Sequence, residues 1–353
     1  MAPSADGVQQ PCVLHGLSRW YMDTRWLTAT SPSLPLLSTL RPQDQETVKA
    51  YYHLADRHMS LASYLLKYLF IHRACRVPWD NIVISRTPAP HKRPCYIPLV
   101  SEDRDESTAP VPNIEFNVSH QASLIALAGC VIPGDFIIEA PPATASTPAK
   151  PSPTTAPATP QVGIDITCTD ERSRRGQNSI PATEAEMHSF IDIYDQVFSS
   201  RELDTMKSLP LCPPRTVPLS LGESIQYRLR RFYAYWALKE AYIKMTGEAL
   251  LAPWLQELEF LNVNPPEPAM DGERPVWGPP ETGVQVWLYG RQVEDVRIEM
   301  VAFGREYLVA TATRGGSGFG ASSVELAPWG DFRLVDIERD VTPCATGQCQ
   351  CLR

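Results

Sequence analysis

The sequence contains no run of about 18 apolar residues, so no helix that crosses a bilayer is expected. Residues 1–10 have neither the basic start nor the apolar core of a secretory signal, and a cytoplasmic protein with no membrane partner is expected. The chain also lacks a positive field. Its formal net charge is −8, which argues against nucleic acid and requires any anion site to be a local basic patch. Paired cysteines are missing too: there are nine, an odd number scattered through 353 residues, which fits a reducing compartment rather than a disulfide scaffold. Cys344, Cys349 and Cys351 cluster near the end. Their spacing matches no common zinc pattern and a fourth ligand is not obvious, so they read as free thiols on a solvent-exposed tail rather than as a metal site. No short repeat of the solenoid kind is present.

What the chain has in excess is proline, 34 residues unevenly placed. Residues 140–160 contain only Ala, Pro, Thr, Ser and one Lys, cannot bury a core, and predict a disordered or polyproline-like linker. Residues 87–98, 210–218 and 265–280 are further Pro-rich stretches. Between them the periodicities are clear. Apolar residues recur from Tyr51 and Leu54 through Met59, Leu61, Leu65 and Leu69 without Pro or Gly, predicting one helix over residues 43–72. Ile114, Phe116 and Val118 alternate with Glu115, Asn117 and Ser119, the period of a half-buried strand. Residues 124–132 predict a more buried strand joined to it by a tight connection. Residues 82–85, 162–166 and 284–289 predict strands, 223–246 the longest helix, and 297–303 with 307–313 a hairpin around Gly304. The class is α+β in two halves. The expected division is an N-terminal half (1–139), the linker (140–160), a C-terminal half (161–322) and a C-terminal extension (323–353).

Three segments could carry chemistry. In the strand Val162-Gly163-Ile164-Asp165-Ile166 the β-branched residues share one face, and Asp165 lies on the other beside Gly163, which would leave room for something bulky such as a phosphate. In the long helix Ile225, Leu229, Phe232, Trp236 and Ile243 form an apolar stripe. At about 100° per residue Glu240 falls inside it and Lys244 at its edge. A carboxylate beside an apolar stripe needs a cation, and a metal would serve. Phe116-Asn117-Val118-Ser119-His120-Gln121 ends a strand with a hydroxyl, an imidazole and an amide. Strand neighbours point to opposite faces, so Ser119 and His120 are not a nucleophile–base pair; anion binding suits them better.

In this order, residues 116–121, 162–166 and 232–250 resemble the three signature segments of the Sfp-type phosphopantetheinyl transferases. Trp236, Lys239, Glu240, Ala241, Lys244, Gly247 and Leu250 match the third segment, and Ala249 stands where a second glycine is usual. The resemblance spans roughly residues 49–313. It implies the 4′-phosphopantetheinyl transferase fold, two pseudo-symmetric halves with the active site at their interface, acting as a monomer. It implies transfer of the phosphopantetheine of coenzyme A to a serine of apo acyl carrier and peptidyl carrier protein domains, with Mg2+ as cofactor. Asp165 and Glu240 would be metal ligands and catalytic residues, and Lys244 would contact the pyrophosphate. Arg86, Arg93, Ser119 and His120 would form the pocket for the 3′-phosphate and adenine, with Lys49 and Ser60 on the first helix also facing coenzyme A. Thr167 stands where many relatives have a second acidic residue, so Gln121 is expected as the third metal ligand. The rival reading is a coenzyme A-binding protein of the same fold without the chemistry.

Overall fold

The computed structural model describes residues 16–88, 93–98, 111–132, 160–170, 181–208, 219–248, 252–315 and 329–352. The expected linker lies outside these residues except for Pro160, as do residues 210–218 and the Ala249-Leu250 end of the third segment.

The first half opens with β1 (Ser18–Asp23) and the short helix α1 (Arg25–Thr30). α2 (Pro42–Lys49) and α3 (Leu54–Cys75) follow. The single helix expected over residues 43–72 is therefore two, because the backbone at His53 turns extended before α3 begins. Next come the small hairpin β2 (Ile84–Arg86) and β3 (Pro94–Tyr96), and the long hairpin β4 (Asn113–Gln121) and β5 (Leu124–Ile132). The second half comprises β6 (Gln161–Cys168), α4 (Glu184–Asp192), α5 (Ser200–Lys207), α6 (Leu221–Thr246) and β7 (Leu258–Leu261). β8 (Met270–Asp271), β9 (Arg274–Pro275), β10 (Gln285–Leu288), β11 (Arg291–Gln292), β12 (Val296–Phe303) and β13 (Tyr307–Arg314) complete it. β14 (Arg333–Leu334) and α7 (Thr342–Ala345) lie in the final segment. No helix among the described residues is long and apolar enough to cross a membrane.

The two halves repeat one plan. In each, a leading strand (β1 or β6) precedes a long helix (α3 or α6), and a later hairpin (β4–β5 or β12–β13) returns so that its second strand pairs antiparallel with the leading strand. Alternation along β5 serves two cores: Ile125 and Leu127 pack with α3, while Leu124, Ala126 and Ala128 face the other way. There they meet Val162, Ile164 and Ile166 of β6 and Val309 of β13 in a core shared by both halves. Leu308, Ala310 and Ala312 of β13 pack with α6. The layers thus run helix, sheet, sheet, helix.

β6 pairs with β13 along one edge, and its other edge is closed by side chains. The backbone N–H groups of Val162, Ile164, Ile166 and Cys168 donate to Glu115 Oε1 (3.3 Å), Asn117 Oδ1 (3.4 Å), Ser119 Oγ (3.2 Å) and Gln121 Oε1 (2.5 Å). Acceptors spaced by two along β4 meet donors spaced by two along β6, so the polar face of β4 replaces the missing backbone ladder. The face that the alternation left polar is the seam between the halves.

The final segment is not the exposed tail that was expected. β14 pairs parallel with β1, Val335 N–H donates to Tyr21 O at 2.9 Å, and Arg19 donates to Trp329 O and Gly330 O. Cys344 and Cys351 are buried, and Val335, Ile337 and Val341 join the α3 core. Apolar burial decides the outcome, because these side chains are spaced to cover a core face the sequence alone did not show to be open.

Gly163 also differs from expectation. A Cβ there would lie 2.1 Å from Ala241 O and 2.4 Å from Met245 N, both α6 backbone, so the glycine lets helix and strand approach and does not make room for a ligand. Gly163→Ala is expected to lower stability by about 1–3 kcal/mol or more, since backbone cannot swing aside. An unchanged denaturant midpoint would refute this packing.

Lys239 of the third segment is fully buried, paired with Glu202 Oε2 at 3.0 Å, and donates to Leu255 O and Leu258 O. Glu202 in turn accepts from Ser199 N and Phe260 N. Burial pushes the Glu202 carboxyl up and the Lys239 ammonium down, so each charge is held by the other. Glu202→Ala is expected to cost about 3–5 kcal/mol in equilibrium unfolding, and the pair replaced together by Glu202→Leu and Lys239→Met much less. Equal losses in both would show that packing, not the stranded charge, decides.

Candidate active site

The site is built on α6. Ser220 accepts from Glu223 N–H and Glu223 reaches back to Ser220, a capping box that fixes the start of the helix. Gly247, at φ 83°, ends it with its N–H on Ile243 O. Between them Trp236, Glu240 and Lys244, four residues apart, form a column toward β4 and β6. Trp236 and Lys244 line the same cleft as Ser119, His120, Gln121 and Asp165. From α3 the cleft is lined by Asp56 and Met59.

Asp165 is the fixed point. It is buried on β6, and both carboxylate oxygens are held: Oδ1 by Ser119 Oγ (3.0 Å) and Lys244 Nζ (2.6 Å), Oδ2 by Thr167 Oγ1 (3.1 Å). Ser119 Oγ gives its one proton to Asp165 and accepts from Ile166 N–H and from Lys244 Nζ at 2.9 Å, which uses its full capacity. Ser119, expected in the phosphate pocket, lines the cleft with its hydroxyl on Asp165. The register of the β4–β6 seam turns its hydroxyl onto the aspartate. Thr167, two residues along β6, shares the face of Asp165 and orients its second oxygen.

Glu240 faces this aspartate. Burial, and next the Asp165 charge, push its carboxyl up to about 7, against the opposing pull of Lys244. Two neighbouring carboxylates, one of them pushed up by the other's charge, are a cation site, and they are hard oxygen donors suited to magnesium. Gln121 adds an amide oxygen at the same cleft. That oxygen accepts the Cys168 N–H, the backbone bond that was the alternative to a ligand role; an sp² oxygen accepts two partners, so the bond is compatible with a metal. The donor set fits Mg2+.

Beside these oxygens is a local basic patch. His120 reaches solvent at the cleft, and its pKa is lowered first by partial burial and then by the charges of Lys244 and Lys67. Lys67, on α3, has its ammonium pushed down to about 8 by burial, with Arg86 adding to the effect and Asp44 opposing it. Its Nζ sits 3.8 Å above the Tyr64 ring. Crowded cations on an acidic chain make a place for an anion. Lys67 was missed in the sequence; the signal was only its place one turn beyond Tyr64 on the helix that brings Asp56 and Met59 to the cleft.

The other expected anion contacts are elsewhere. Arg93 is ion-paired with Glu115 and donates to Val162 O at 3.1 Å, so it anchors the far end of the β4–β6 seam. Lys49, at the end of the separate helix α2, is half exposed and pairs with Glu46 at 3.1 Å. Ser60 is buried on α3, and Asp56 and Met59 face the cleft instead.

Comparison with known proteins meets this geometry. The family model for the N-terminal part of 4′-phosphopantetheinyl transferases matches residues 24–132, and that of the 4′-phosphopantetheinyl transferase superfamily matches residues 161–297, one to each half. The chain is 56% identical to 4′-phosphopantetheinyl transferase A of Aspergillus fumigatus, with 96% of each chain covered. It is 50% identical to 4′-phosphopantetheinyl transferase NpgA of Emericella nidulans, over 95% of this chain and 96% of the relative. It is 28% identical to the human L-aminoadipate-semialdehyde dehydrogenase-phosphopantetheinyl transferase, over 74% of this chain and 62% of the relative. With an aspartate held on β6, a glutamate and a lysine on one face of α6, and a match to each half, the chain belongs to the 4′-phosphopantetheinyl transferase family.

Proposed function

We propose that this chain transfers the 4′-phosphopantetheine of coenzyme A to a serine of apo acyl carrier and peptidyl carrier protein domains, acting as a cytoplasmic monomer with Mg2+. The observation that carries this reading is the convergence of Asp165 and Lys244, from two elements, in one cleft beside a basic patch, with Glu240 close enough to interact with the charges of both. The serine oxygen forms a bond to the pantetheine-side phosphorus, the pyrophosphate P–O bond breaks, and adenosine 3′,5′-bisphosphate leaves. Such a transfer depends on positioning and on neutralising phosphate charge. Lys244 lies at the cleft, where its ammonium meets the pyrophosphate. Glu240 takes the serine proton directly or through a water, as a general base placed beside the reacting groups. Asp165, Glu240 and Gln121 would hold the metal, which when bound would supply positive charge to the phosphates and the leaving oxygen. Ser119 and Thr167 keep Asp165 in place.

Lys67, Arg86 and His120 form the pocket for the 3′-phosphate. The mouse and human relatives are named for an L-aminoadipate-semialdehyde dehydrogenase, which puts such an enzyme among the candidate carriers, beside those of fatty acid, polyketide and nonribosomal peptide synthesis.

The direct test is a mass gain of one phosphopantetheine on an apo carrier incubated with the chain, coenzyme A and magnesium, run over a panel of carriers. Asp165→Ala and Glu240→Ala are each expected to cut this transfer by about a hundredfold or more with unchanged circular dichroism. Full activity of either at saturating magnesium would refute the metal assignment. Gln121→Ala is expected to raise the magnesium midpoint by about tenfold or more, and Thr167→Ala, which removes one hydrogen bond to Asp165, by less. The reverse order would take Gln121 out of the ligand set.

Lys67→Ala, Arg86→Ala and His120→Ala are expected to raise KM for coenzyme A by about tenfold while changing that for dephospho-coenzyme A little, as loss of a charge-assisted contact requires. Equal effects on both substrates would place these cations away from the 3′-phosphate.

A further inference from the structure

We infer that His72, Cys344, Cys349 and Cys351 form a zinc site that fastens the final segment to the first half. The four donor atoms lie within 4.8 Å of one another. They come from two places in the chain, the last turn of α3 and the segment around α7; His72 and Cys349 are 277 residues apart. This distance in sequence is why the cysteine spacing alone offered no fourth ligand.

The geometry is that of a metal rather than a disulfide. Cys344 Sγ and Cys351 Sγ are 3.9 Å apart. Tetrahedral zinc with Zn–S bonds of about 2.3 Å places two sulfurs about 3.8 Å apart. A disulfide holds them at about 2.0 Å. His72 Nε2 is 3.1 Å from Cys349 Sγ, close to the edge of about 3.5 Å between nitrogen and sulfur on such a metal. The imidazole is also oriented for ligation. Its Nδ1 lies 2.7 Å from Val77 O, and a carbonyl only accepts, so Nδ1 carries the proton. In the neutral ring the lone pair then belongs to Nε2, which faces the thiols. A backbone carbonyl on the far nitrogen is the usual second contact of a histidine on zinc.

The chain around the thiols is shaped to gather them. Gln348 and Cys349 N–H both return to Pro343 O, at 2.8 and 2.9 Å, and Gly347 takes φ 74°. That turn folds Cys349 and Cys351 back over Cys344. His72, Cys344 and Cys351 are buried, and Cys349 is partly so. Three thiolates and one divalent ion leave a charge of −1; Arg73, next to His72, lies close enough to Cys344 to act on it electrostatically. Soft sulfur with one imidazole selects zinc over magnesium, so this site and the oxygen donors of the cleft divide two metals by chemistry. The two sites are also apart: His72 ends α3, while Asp56 and Met59 at its start line the cleft.

The test uses the full chain, produced with zinc supplied and purified under reducing conditions. Elemental analysis is expected to find one zinc per chain, retained by Asp165→Asn and lost by Cys349→Ser and by His72→Gln. Because the variants could fail to fold, the wild-type chain with cobalt in place of zinc provides an independent reading: tetrahedral visible bands with thiolate-to-cobalt charge transfer. Chelation is expected to lower the melting temperature by several degrees. The proposal is overturned if the wild-type chain holds far less than one zinc, if the cobalt spectrum lacks thiolate ligation, if the native mass shows a Cys344–Cys351 disulfide, or if zinc leaves Asp165→Asn and stays in Cys349→Ser.

Discussion

The site depends on how one strand edge is closed. β6 carries Asp165 and has backbone pairing on one side only, from β13. On the other side the side chains of Glu115, Asn117, Ser119 and Gln121 receive its N–H groups in register. Each such bond contributes only about 1 kcal/mol net, but each buried N–H left without a partner costs about 1–3 kcal/mol. Registry is therefore enforced more strongly than affinity. A slip of one residue would strand the donors and turn the acceptors away from them. The same seam aims Ser119 at Asp165 and brings Gln121 to the cleft, so the joint between the halves and the arrangement of the site are one structure.

That seam also sets what could be seen in the sequence. The alternation in β4, the apolar run of β5, their tight connection and the hairpin at Gly304 were all legible, because period and turn chemistry are local. The purpose of the polar positions in β4 was not. Glu115 and Asn117 on an alternating strand look the same whether they face water or the N–H groups of another strand. Ser119 and Arg93 were legible as motif residues, but a motif gives order along the chain and not the direction of a side chain. Gly163 was misjudged for a similar reason: a small residue marks a close approach, and whether a phosphate or the backbone of α6 approaches is a tertiary fact.

α6 separates two tasks by angle. Lys239 and Lys244 are five residues apart, which turns them about 140° from one another on the helix. Lys239 points into the core of the second half and neutralises Glu202. Lys244 points into the cleft and meets Asp165. The helix spacing predicted the column of Trp236, Glu240 and Lys244, since positions four apart share a face whatever they touch. It could not predict the partner of Lys239, because Glu202 comes from a different helix. A lysine in a signature segment thus supports the fold, and its neighbour glutamate on the adjacent face supports the chemistry.

The final segment follows from the same need to hold two halves at a fixed separation. β4 and β6 join them at the cleft, and on another flank Arg19 of β1 reaches Glu299 of β12 at 3.4 Å while donating to Trp329 O and Gly330 O. Phe332 stacks on Trp277 with ring centroids 4.2 Å apart, and Trp277 packs on Phe303 of the second half. β14 then crosses to β1 of the first half, and the chain continues to the thiols beside His72. The segment makes few backbone pairs. Burial of Val335, Ile337 and Val341 in the α3 core holds it, while chain entropy opposes every ordered residue. A metal at its far end changes this balance, because ligation from α3 turns a strap fixed at one end into one fixed at both. The cysteines are placed where such a closure constrains the most chain, beyond the last strand, with their nitrogen partner on the longest helix of the opposite half.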